Sequence, residues 1–273
     1  MPITKAIVNG KIIAEEDASL GINDLSITRG YGIFDFFKTL QNTPIFWEDN
    51  LDRFFRSAKL MDLPVEYSKD ELKVLIVKLM SENKIPDSGI KLLLTGGYST
   101  DDYSISKPNL IITQRPLKRD LSAERRGIKL ITYDFHRALA TAKTTDYIMG
   151  IRALQKAKEA NAQDVVYTSN GLVSECPRSN IFFVTKEGKI ITPSNDVLLG
   201  ITKMHVIELA KSRFEAEERD VTVEELNNAA EAFITSTTKN ITPVLSINET
   251  VYGKTPGPIT KKLQTQYERL IYG

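Results

Sequence analysis

Short runs of β-branched and aromatic residues alternate with amphipathic segments along the whole of this chain. The first segment, KAIVNGKII, has apolar runs on both sides of Asn9-Gly10, a pair that tolerates the left-handed conformations of a tight turn. From Trp47 to Leu60 the apolar residues recur at helical spacing instead. A chain that changes between these two periods is predicted to form an α/β fold in which strands and helices are interleaved.

The same two periods predict the remaining elements. Asp49 and Asn50 are candidate caps for the first helix, and Ser169-Asn170 indicates a second hairpin between DVVYT and GLVSE. Further strands are predicted at GYGIFDFFKTL, TPIFW, IKLLLT, NLIITQ, IKLITYDF, NIFFV, KIITP, EAFITS and VLSIN. Further helices are predicted from Lys69 to Glu82, from Ile148 to Asn161, from Gly200 to Phe214 and from Pro258 to Leu270.

A charged stretch without apolar period, RPLKRDLSAERRG, divides the chain. A chain of 273 residues is long for a single compact core. We therefore predict a small N-terminal α/β domain over residues 1–116, an interdomain linker over 117–126 and a large C-terminal α/β domain over 127–273.

Composition excludes several classes of partner. The 36 basic and 35 acidic residues give a net charge of +1, which favours neither nucleic acid nor an acidic membrane surface. The chain has no run of about 18 apolar residues and no apolar leader at its start, so we expect neither a spanning helix nor a secretory signal. The single cysteine, Cys176, allows no intrachain disulfide, and the two histidines, His136 and His205, form no local zinc pattern. We expect a cytoplasmic protein without a metal.

One lysine has a setting that favours chemistry over solvation. Lys143 lies in AKTTDY, an amphipathic helix follows it, and the acidic turn VSECPRSN comes further along. A lysine amine is nucleophilic only when it is deprotonated, and burial or a nearby positive group lowers its pKa so that it can form a Schiff base with an aldehyde. A solvated surface position is the alternative for any one lysine in a chain this rich in basic residues.

The motifs around Lys143 come in the order of a known family. In the second half they are AKTTDYIMGIRALQKAKEANAQDVVY, GLVSECPRSNIFFV, LLGITK and FITSTTKNITPV, and in the first half they are DLSITRGYGIFDFF and NLDRFFRSA. In these segments the chain resembles the class IV aminotransferases, the fold-type IV enzymes that depend on pyridoxal 5'-phosphate (PLP). The family holds D-amino acid aminotransferases, branched-chain aminotransferases and aminodeoxychorismate lyase, and the resemblance covers nearly the whole chain.

The resemblance implies how PLP chemistry is divided among the residues. Lys143 matches the family's Schiff-base lysine, which also moves the proton between the substrate α-carbon and the cofactor. Glu175 matches the acid beside the pyridine nitrogen, where a carboxylate keeps that nitrogen protonated. The protonated ring is what makes the cofactor an electron sink.

The resemblance also implies a phosphate site. Arg53 matches the family's phosphate arginine, whose planar fork suits phosphate oxygens. Ile201 and Thr202 match its phosphate cradle, at a helix N-terminus where backbone amides bind anions. Thr237 matches its hydroxyl contact to the phosphate. Ordinary capping and turn chemistry is the alternative for the last three residues.

Further residues are predicted near the substrate. Thr238 would lie nearer the substrate carboxylate than the phosphate. Phe34 matches a position that lines the family's side-chain pocket, and Phe36 would point to the same face of its strand. Tyr147 could reach the cofactor edge if the stretch after Lys143 is extended. Core packing is the alternative for these aromatic side chains.

The chain departs from its better-known relatives in one loop. D-amino acid aminotransferases trap the substrate carboxylate with an arginine and a histidine after the strand equivalent to KLLLT, where this chain reads GGYSTDDYS. That trap is absent, and Asp101 and Asp102 are expected to repel a carboxylate. Arg29, in ITRGYG, and Arg178, after Pro177 in ECPRSN, are candidates to replace it, because a bidentate arginine clamps a carboxylate. Surface positions in loops are the alternative for both arginines.

We predict a PLP-dependent enzyme that transfers an amino group between an amino acid and a 2-oxo acid, in a homodimer whose loops complete each other's sites. A D-amino acid aminotransferase with an arginine clamp is the leading prediction, a branched-chain L-amino acid aminotransferase is the alternative, and an aminodeoxychorismate lyase is the third. A fold relative that binds a ligand without turnover is the alternative from another class. Lys143 and Glu175 argue against it, because affinity alone requires neither.

Overall fold

The computed structural model describes residues 4–119 and 121–273, and the chain forms two compact units. The first contains the residues up to Lys118 together with Ala142–Asp146, and the second contains Arg119–Thr141 and Tyr147–Gly273. Sequence reasoning counts Lys143 with the second domain, because local periodicity does not indicate that a short segment returns to an earlier unit. Residues 1–3, where the sequence predicts no secretory leader, lie outside the described residues. Residue 120 of the predicted linker also lies outside them.

The first unit is built on an antiparallel sheet. Its elements are β1 (Lys5–Val8), β2 (Lys11–Ala14), α1 (Leu25–Thr28), β3 (Gly32–Leu40), β4 (Thr43–Pro44), α2 (Trp47–Leu60), α3 (Lys69–Asn83), β5 (Ser88–Thr95) and β6 (Leu110–Pro116). The strand order is β2-β1-β6-β5-β3-β4. The predicted first hairpin is confirmed: Asn9 and Gly10 both have positive φ, and Val8 pairs with Lys11.

The start of α2 differs from the prediction. Its N-cap is Phe46, in the left-handed conformation at φ 53°, and no side chain caps the helix. Asn50 lies inside the first turn, where its Nδ2 donates to the Phe46 carbonyl at 2.7 Å. Asp49 and Asn50 as caps are therefore wrong, because the chain enters the helix directly from the short strand β4. The predicted second helix is confirmed as α3, which begins with a capping box between Ser68 and Glu71.

Strand β3 has two different faces. Ile33, Asp35 and Phe37 are fully buried on one face, while Phe34 and Phe36 are half-buried on the other. The core on the first face also contains side chains of α2, α3 and β5, which include Leu51, Phe54, Leu72, Ile76, Ile90 and Leu92. Asp35 lies on the buried face, and a buried carboxylate needs a charged or hydrogen-bonding partner.

The second unit is built on a mixed sheet. Its elements are α4 (Leu121–Arg126), β7 (Ile128–Asp134), α5 (Ile148–Glu159), β8 (Asp164–Ser169), β9 (Leu172–Val173), β10 (Asn180–Val184), β11 (Ile190–Thr192), α6 (Ile201–Lys211), β12 (Ala216–Glu218), β13 (Val221–Thr222), α7 (Val223–Asn228), β14 (Glu231–Ser236), β15 (Asn240–Ile247), β16 (Thr250–Val251) and α8 (Pro258–Tyr272). The described strands follow the order β12-β11-β10-β14-β15-β7-β8-β9-β13, and β16 pairs with β15. The two units together confirm the predicted mixed α/β class.

Several boundaries in the second unit were not predictable from the periodicity. The turn between β8 and β9 is formed by Asn170 and Gly171, both with positive φ, rather than by Ser169-Asn170. The charged stretch read as linker contains the helix α4, whose Glu124 is buried. The pairing of NIFFV with KIITP is confirmed by the partners Phe183 and Ile191.

Within the described residues, no helix is long and apolar enough to cross a membrane. The same residues contain no group of three or more His, Cys, Asp or Glu side chains arranged to hold a metal ion. Cys176 is buried as a free thiol, and burial raises its pKa.

Candidate active site

Lys143 lies on a short segment that pairs with β3 in the first unit. The Lys143 carbonyl accepts from the Phe34 N–H at 2.9 Å, and the Thr145 N–H donates to the Gly32 carbonyl at 2.9 Å. The Lys143 N–H donates to Ser57 Oγ at 3.1 Å. The Lys143 side chain is partly buried, and its Nζ lies 4.5 Å from the centroid of the Phe34 ring. The backbone therefore holds this lysine on the half-buried face of β3.

Gly32 permits the close approach of this segment. A Cβ on Gly32 would stand 2.9 Å from the Leu94 carbonyl and 3.4 Å from Thr145 Oγ1. Thr145 Oγ1 also donates to the Gly30 carbonyl at 2.8 Å. The motif ITRGYG thus brings the start of β3 and the lysine segment together.

Arg53 is buried on α2 and forms a fork with a carboxylate. Its Nε donates to Asp35 Oδ2 at 2.8 Å, and its Nη2 donates to Asp35 Oδ1 at 2.8 Å. Its Nη2 also donates to Asn50 Oδ1 at 3.2 Å. Asp35 was missed by sequence reasoning, although an acid at a buried position of GIFDFF was a signal that could have found it.

Glu175 is buried in the second unit among hydrogen-bond donors. Arg137 Nη1 donates to Glu175 Oε1 at 2.5 Å. The Leu198 N–H donates to Glu175 Oε2 at 3.0 Å, and Asn180 Nδ2 approaches the same oxygen at 3.4 Å. Arg137 and Asn180 were also missed, because nothing local in the sequence pairs them with this acid.

The N-terminus of α6 is tied to the Glu175 turn. Gly200 is the N-cap without a side-chain cap, and Ile201 and Thr202 are buried in the first turn. Asn180 Nδ2 donates to the Leu198 carbonyl at 2.9 Å, and a Cβ on Gly200 would stand 2.0 Å from Asn180 Oδ1. Asn180 thus joins the buried acid to the loop that leads into the helix.

The other predicted residues of the second unit occupy element ends. Tyr147 is the N-cap of α5 at φ −122° and ψ 15°, so the stretch after Lys143 is not extended as far as this tyrosine. Thr237 is half-buried and Thr238 is exposed, both in the turn between β14 and β15. These placements leave hydroxyl groups at the end of β14.

Arg29 in the first unit is held by the loop that lacks the family's trap. It is the C-cap of α1, its guanidinium carbon lies 5.0 Å from the centroid of the Tyr103 ring, and its Nη2 is 3.8 Å from Asp102 Oδ2. Asp101 instead orders the loop: hydrogen bonds from the side chain and backbone of Ser104 and from the Tyr103 N–H hold its pKa well below the usual range. The repulsion expected from the two acids stays a prediction: Asp102 faces Arg29, while the hydrogen bonds to Asp101 favour its negatively charged form.

Arg178 in the second unit is exposed at the apex of a turn that the Cys176–Ser179 bridge closes. It has no ion-pair or hydrogen-bond partner among the described residues. Pro177 is buried, and its Cβ lies close to Gly150 at the start of α5. The turn therefore directs a charged side chain away from the core.

Comparison with known proteins identifies the family. The model of the amino-transferase class IV family matches residues 32–247. The chain is a class IV aminotransferase. It is 30% identical to a D-alanine aminotransferase of Bacillus licheniformis, over 98% of this chain and 97% of that protein. Among solved structures, it is similar to the branched-chain amino acid aminotransferase of Escherichia coli, with a TM-score of 0.92 and 25% identity over 98% of this chain and 95% of that one.

A second solved structure belongs to the same group. The branched-chain aminotransferase of the archaeon Thermoproteus uzoniensis, solved with norvaline, has a TM-score of 0.90 and 28% identity, over 98% of this chain and 94% of that chain. The fold prediction of a fold-type IV enzyme is therefore confirmed. The enzymatic activity of an aminotransferase is confirmed with it.

Class IV aminotransferases use PLP, and the residues of this class IV aminotransferase fit that cofactor. The uncapped amides at the N-terminus of α6 suit a phosphate group. Two buried hydroxyls, Ser179 Oγ and Thr235 Oγ1, have no hydrogen-bond partner among the described residues, although buried polar groups normally have one. Both lie next to segments predicted to hold the cofactor.

Proposed function

We propose that this class IV aminotransferase transfers amino groups from D-amino acids to 2-oxo acids. Its relatives support the proposal, since the D-alanine aminotransferase of Bacillus licheniformis aligns over 98% of this chain. The observation that carries it is that both loop arginines are exposed. Arg178 has no partner among the described residues, and Arg29 has a loose ion pair with Asp102 at 3.8 Å, beside a hydrogen bond to the Thr28 carbonyl and the Tyr103 ring. Both guanidinium groups can therefore receive a carboxylate.

The proposed role of each residue at the cofactor ring follows from the chemistry of its side chain. Lys143 holds the cofactor and moves a proton to and from the substrate α-carbon. Glu175 would accept from the protonated ring nitrogen, and Tyr147 would border the ring from the N-cap of α5 rather than from an extended stretch. PLP supplies the electron sink when it is bound.

The proposed phosphate site combines charge with backbone and hydroxyl donors. Arg53 supplies the cation, Ile201 and Thr202 supply the helix N-terminus, and Thr237 supplies a hydroxyl. Asp35 orients Arg53, because both guanidinium nitrogens that it binds are fixed at 2.8 Å. A preorganised arginine loses less side-chain freedom when an anion binds.

The proposed substrate site combines charged, hydroxyl and aromatic side chains. Arg29 and Arg178 would clamp a carboxylate, and Thr238 would lie nearer to it than Thr237 does. Phe34 lines the space for the side chain, with its ring 4.5 Å from Lys143 Nζ. The proposal also includes a homodimer, as the resemblance implies, and a cytoplasmic location, as the charge balance and the lone cysteine suggest.

Branched-chain L-amino acid transamination is the second candidate. It is favoured by the half-buried Phe34 and Phe36 on one face of β3, since an apolar wall suits an aliphatic side chain. The similarity to the Escherichia coli branched-chain enzyme, at 25% identity, supports the same candidate. Aminodeoxychorismate lyase activity stays the third prediction.

The arginine clamp is tested by separate Arg29→Ala and Arg178→Ala variants, with Arg152→Ala as the control. Arg152 is an exposed arginine of α5, so its loss removes a charge of the same kind outside the proposed clamp. Each clamp variant should raise the KM for D-alanine by roughly tenfold or more, because one charge-assisted hydrogen bond contributes about 1.5–3 kcal/mol. The cofactor absorbance and the control should not change. An unchanged KM in both clamp variants would contradict the proposal.

A further inference from the structure

Arg137 makes a short contact to Glu175, a buried acid of the second unit. Its Nη1 lies 2.5 Å from Glu175 Oε1, and the two side chains are only 14% and 4% exposed. Phe135, two residues earlier, packs its ring 5.1 Å from the ring of Tyr167 and donates its N–H to the Thr168 carbonyl at 3.0 Å. The segment after β7 is therefore anchored on β8, and the anchor sets the position of the guanidinium.

Every contact described above to the Glu175 carboxylate comes from a donor. Arg137 donates to Oε1, while the Leu198 N–H and the Asn180 amide group approach Oε2. Hydrogen bonds and a positive charge on a carboxyl group favour its ionised form over its protonated form. A proton on Glu175 would weaken these contacts in a place that water scarcely reaches. These donors therefore favour the carboxylate form of Glu175.

We propose that Arg137 is a positioning residue that keeps the cofactor's proton on the ring nitrogen rather than on Glu175. The inference rests on the proposed role of Glu175. When an acid and a pyridine share one proton, the proton stays on the ring only if the carboxyl is the weaker base. A guanidinium at hydrogen-bond distance weakens that base, and removing it lets the proton move towards Glu175. Arg137 thus sustains the electron sink without touching the reacting atoms.

The test uses holoenzyme loaded with PLP that carries ¹⁵N in its ring, and the readout is the ¹⁵N chemical shift. The wild type should give a signal at the pyridinium position. Arg137→Met should move it towards the position of neutral pyridine and slow the half-reaction with the amino donor by roughly tenfold or more. Arg137→Lys, which keeps the charge, should restore much of both.

Arg119→Met is the matched control, because Arg119 forms the same type of pair with Glu124 in the second unit, with side chains 28% and 7% exposed. The control should lose thermal stability but keep the wild-type ¹⁵N signal. A wild-type signal in Arg137→Met would overturn the inference. If that variant does not retain the cofactor, Arg137→Lys decides: a signal at the pyridinium position supports the role of the charge, and a signal at the neutral position overturns it.

Glu175→Gln separates this inference from the function on which it rests. If Glu175→Gln leaves the ¹⁵N signal at the wild-type position, then Glu175 does not hold the ring nitrogen and the proposed role of that acid fails. If Glu175→Gln moves the signal while Arg137→Met does not, the role of Glu175 stands and only the inference about Arg137 fails.

Discussion

At the scale of single residues, hydrogen bonds fix the backbone of Lys143 on both sides of its Cα. Its carbonyl and its N–H bind Phe34 and Ser57, and the neighbouring Thr145 binds Gly32. The segment should therefore keep its place when the lysine side chain is changed. This arrangement allows the chemistry of the amine to be tested separately from folding.

Borohydride treatment of the PLP-loaded enzyme should attach the cofactor permanently to the peptide that contains Lys143. The Lys143→Ala variant should lose that label and at least about a hundredfold in transamination rate, since proton transfer by a positioned side chain contributes that much or more. Lys91→Ala is the control, because Lys91 Nζ lies 5.6 Å from the same Phe34 ring. Peptide mass mapping and rate measurements check the prediction. A label on any other lysine would refute the assignment.

The Arg53–Asp35 pair predicts a second effect at this scale. Its side chains are only 5% and 1% exposed, so Asp35→Asn should leave a buried guanidinium without its counter-charge and cost about 3–5 kcal/mol. Asp52→Asn is the control, because Asp52 pairs with Lys69 at an exposed position of α2 and should cost less than about 1 kcal/mol. Urea denaturation measures both. Equal losses of unfolding free energy in the two variants would show that the buried ion pair stabilises the fold no more than the exposed one.

At the scale of elements, the start of α6 is shaped by a glycine and the amide that packs on it. Gly200→Ala would place a Cβ 2.0 Å from Asn180 Oδ1, so the helix N-terminus or Asn180 must shift. We expect a loss of about 1–3 kcal/mol in unfolding free energy, the usual cost of overpacking. We also expect a cofactor affinity weakened by roughly tenfold or more, because the helix amides would no longer converge on the phosphate.

Gly253→Ala is the control for that change, since its added Cβ would meet nothing nearer than the Thr255 carbonyl at 3.3 Å. Cofactor affinity is measured by absorbance titration of the apoenzyme, and stability by urea denaturation. If Gly200→Ala binds PLP as tightly as the control, α6 does not hold the phosphate.

The elements also show how much of the fold could be predicted from the sequence. The hairpin at Asn9-Gly10 and the helix α3 were predictable because their signals are local: a turn pair with positive φ and a capping residue with helical period. The start of α2 was not, because Phe46 adopts a left-handed conformation that no residue preference indicates. Element types therefore followed from periodicity, and element ends depended on tertiary context.

For the candidate site, single residues could be predicted from the sequence, whereas their side-chain pairings could not. Lys143, Glu175 and Arg53 could be singled out because they occur in motifs of a family. The pairings of Asp35 with Arg53 and of Arg137 with Glu175 could not be predicted, since each joins residues far apart in sequence. A single sequence carries no local sign of such a contact.

At the scale of the whole molecule, the family membership and the relatives show an aminotransferase but not its substrate. The D-alanine aminotransferase relatives and the branched-chain structures have similar identities to this chain, between 25% and 32% for those of Bacillus, Listeria and Escherichia coli. Selectivity therefore depends on the residues in which this chain differs. The loop GGYSTDDYS and the arginines Arg29 and Arg178 are the differences that the proposal uses.

A single-turnover half-reaction tests whether the enzyme takes its amino group from D-amino acids. PLP-loaded enzyme is mixed separately with D-alanine, L-alanine, D-glutamate, L-glutamate and L-leucine, without a 2-oxo acid, and the loss of the cofactor's visible absorbance is followed. We expect loss of absorbance with D-alanine and D-glutamate, and little or none with their L-enantiomers or L-leucine. A response to L-leucine and not to either D-amino acid would contradict it and favour the branched-chain activity.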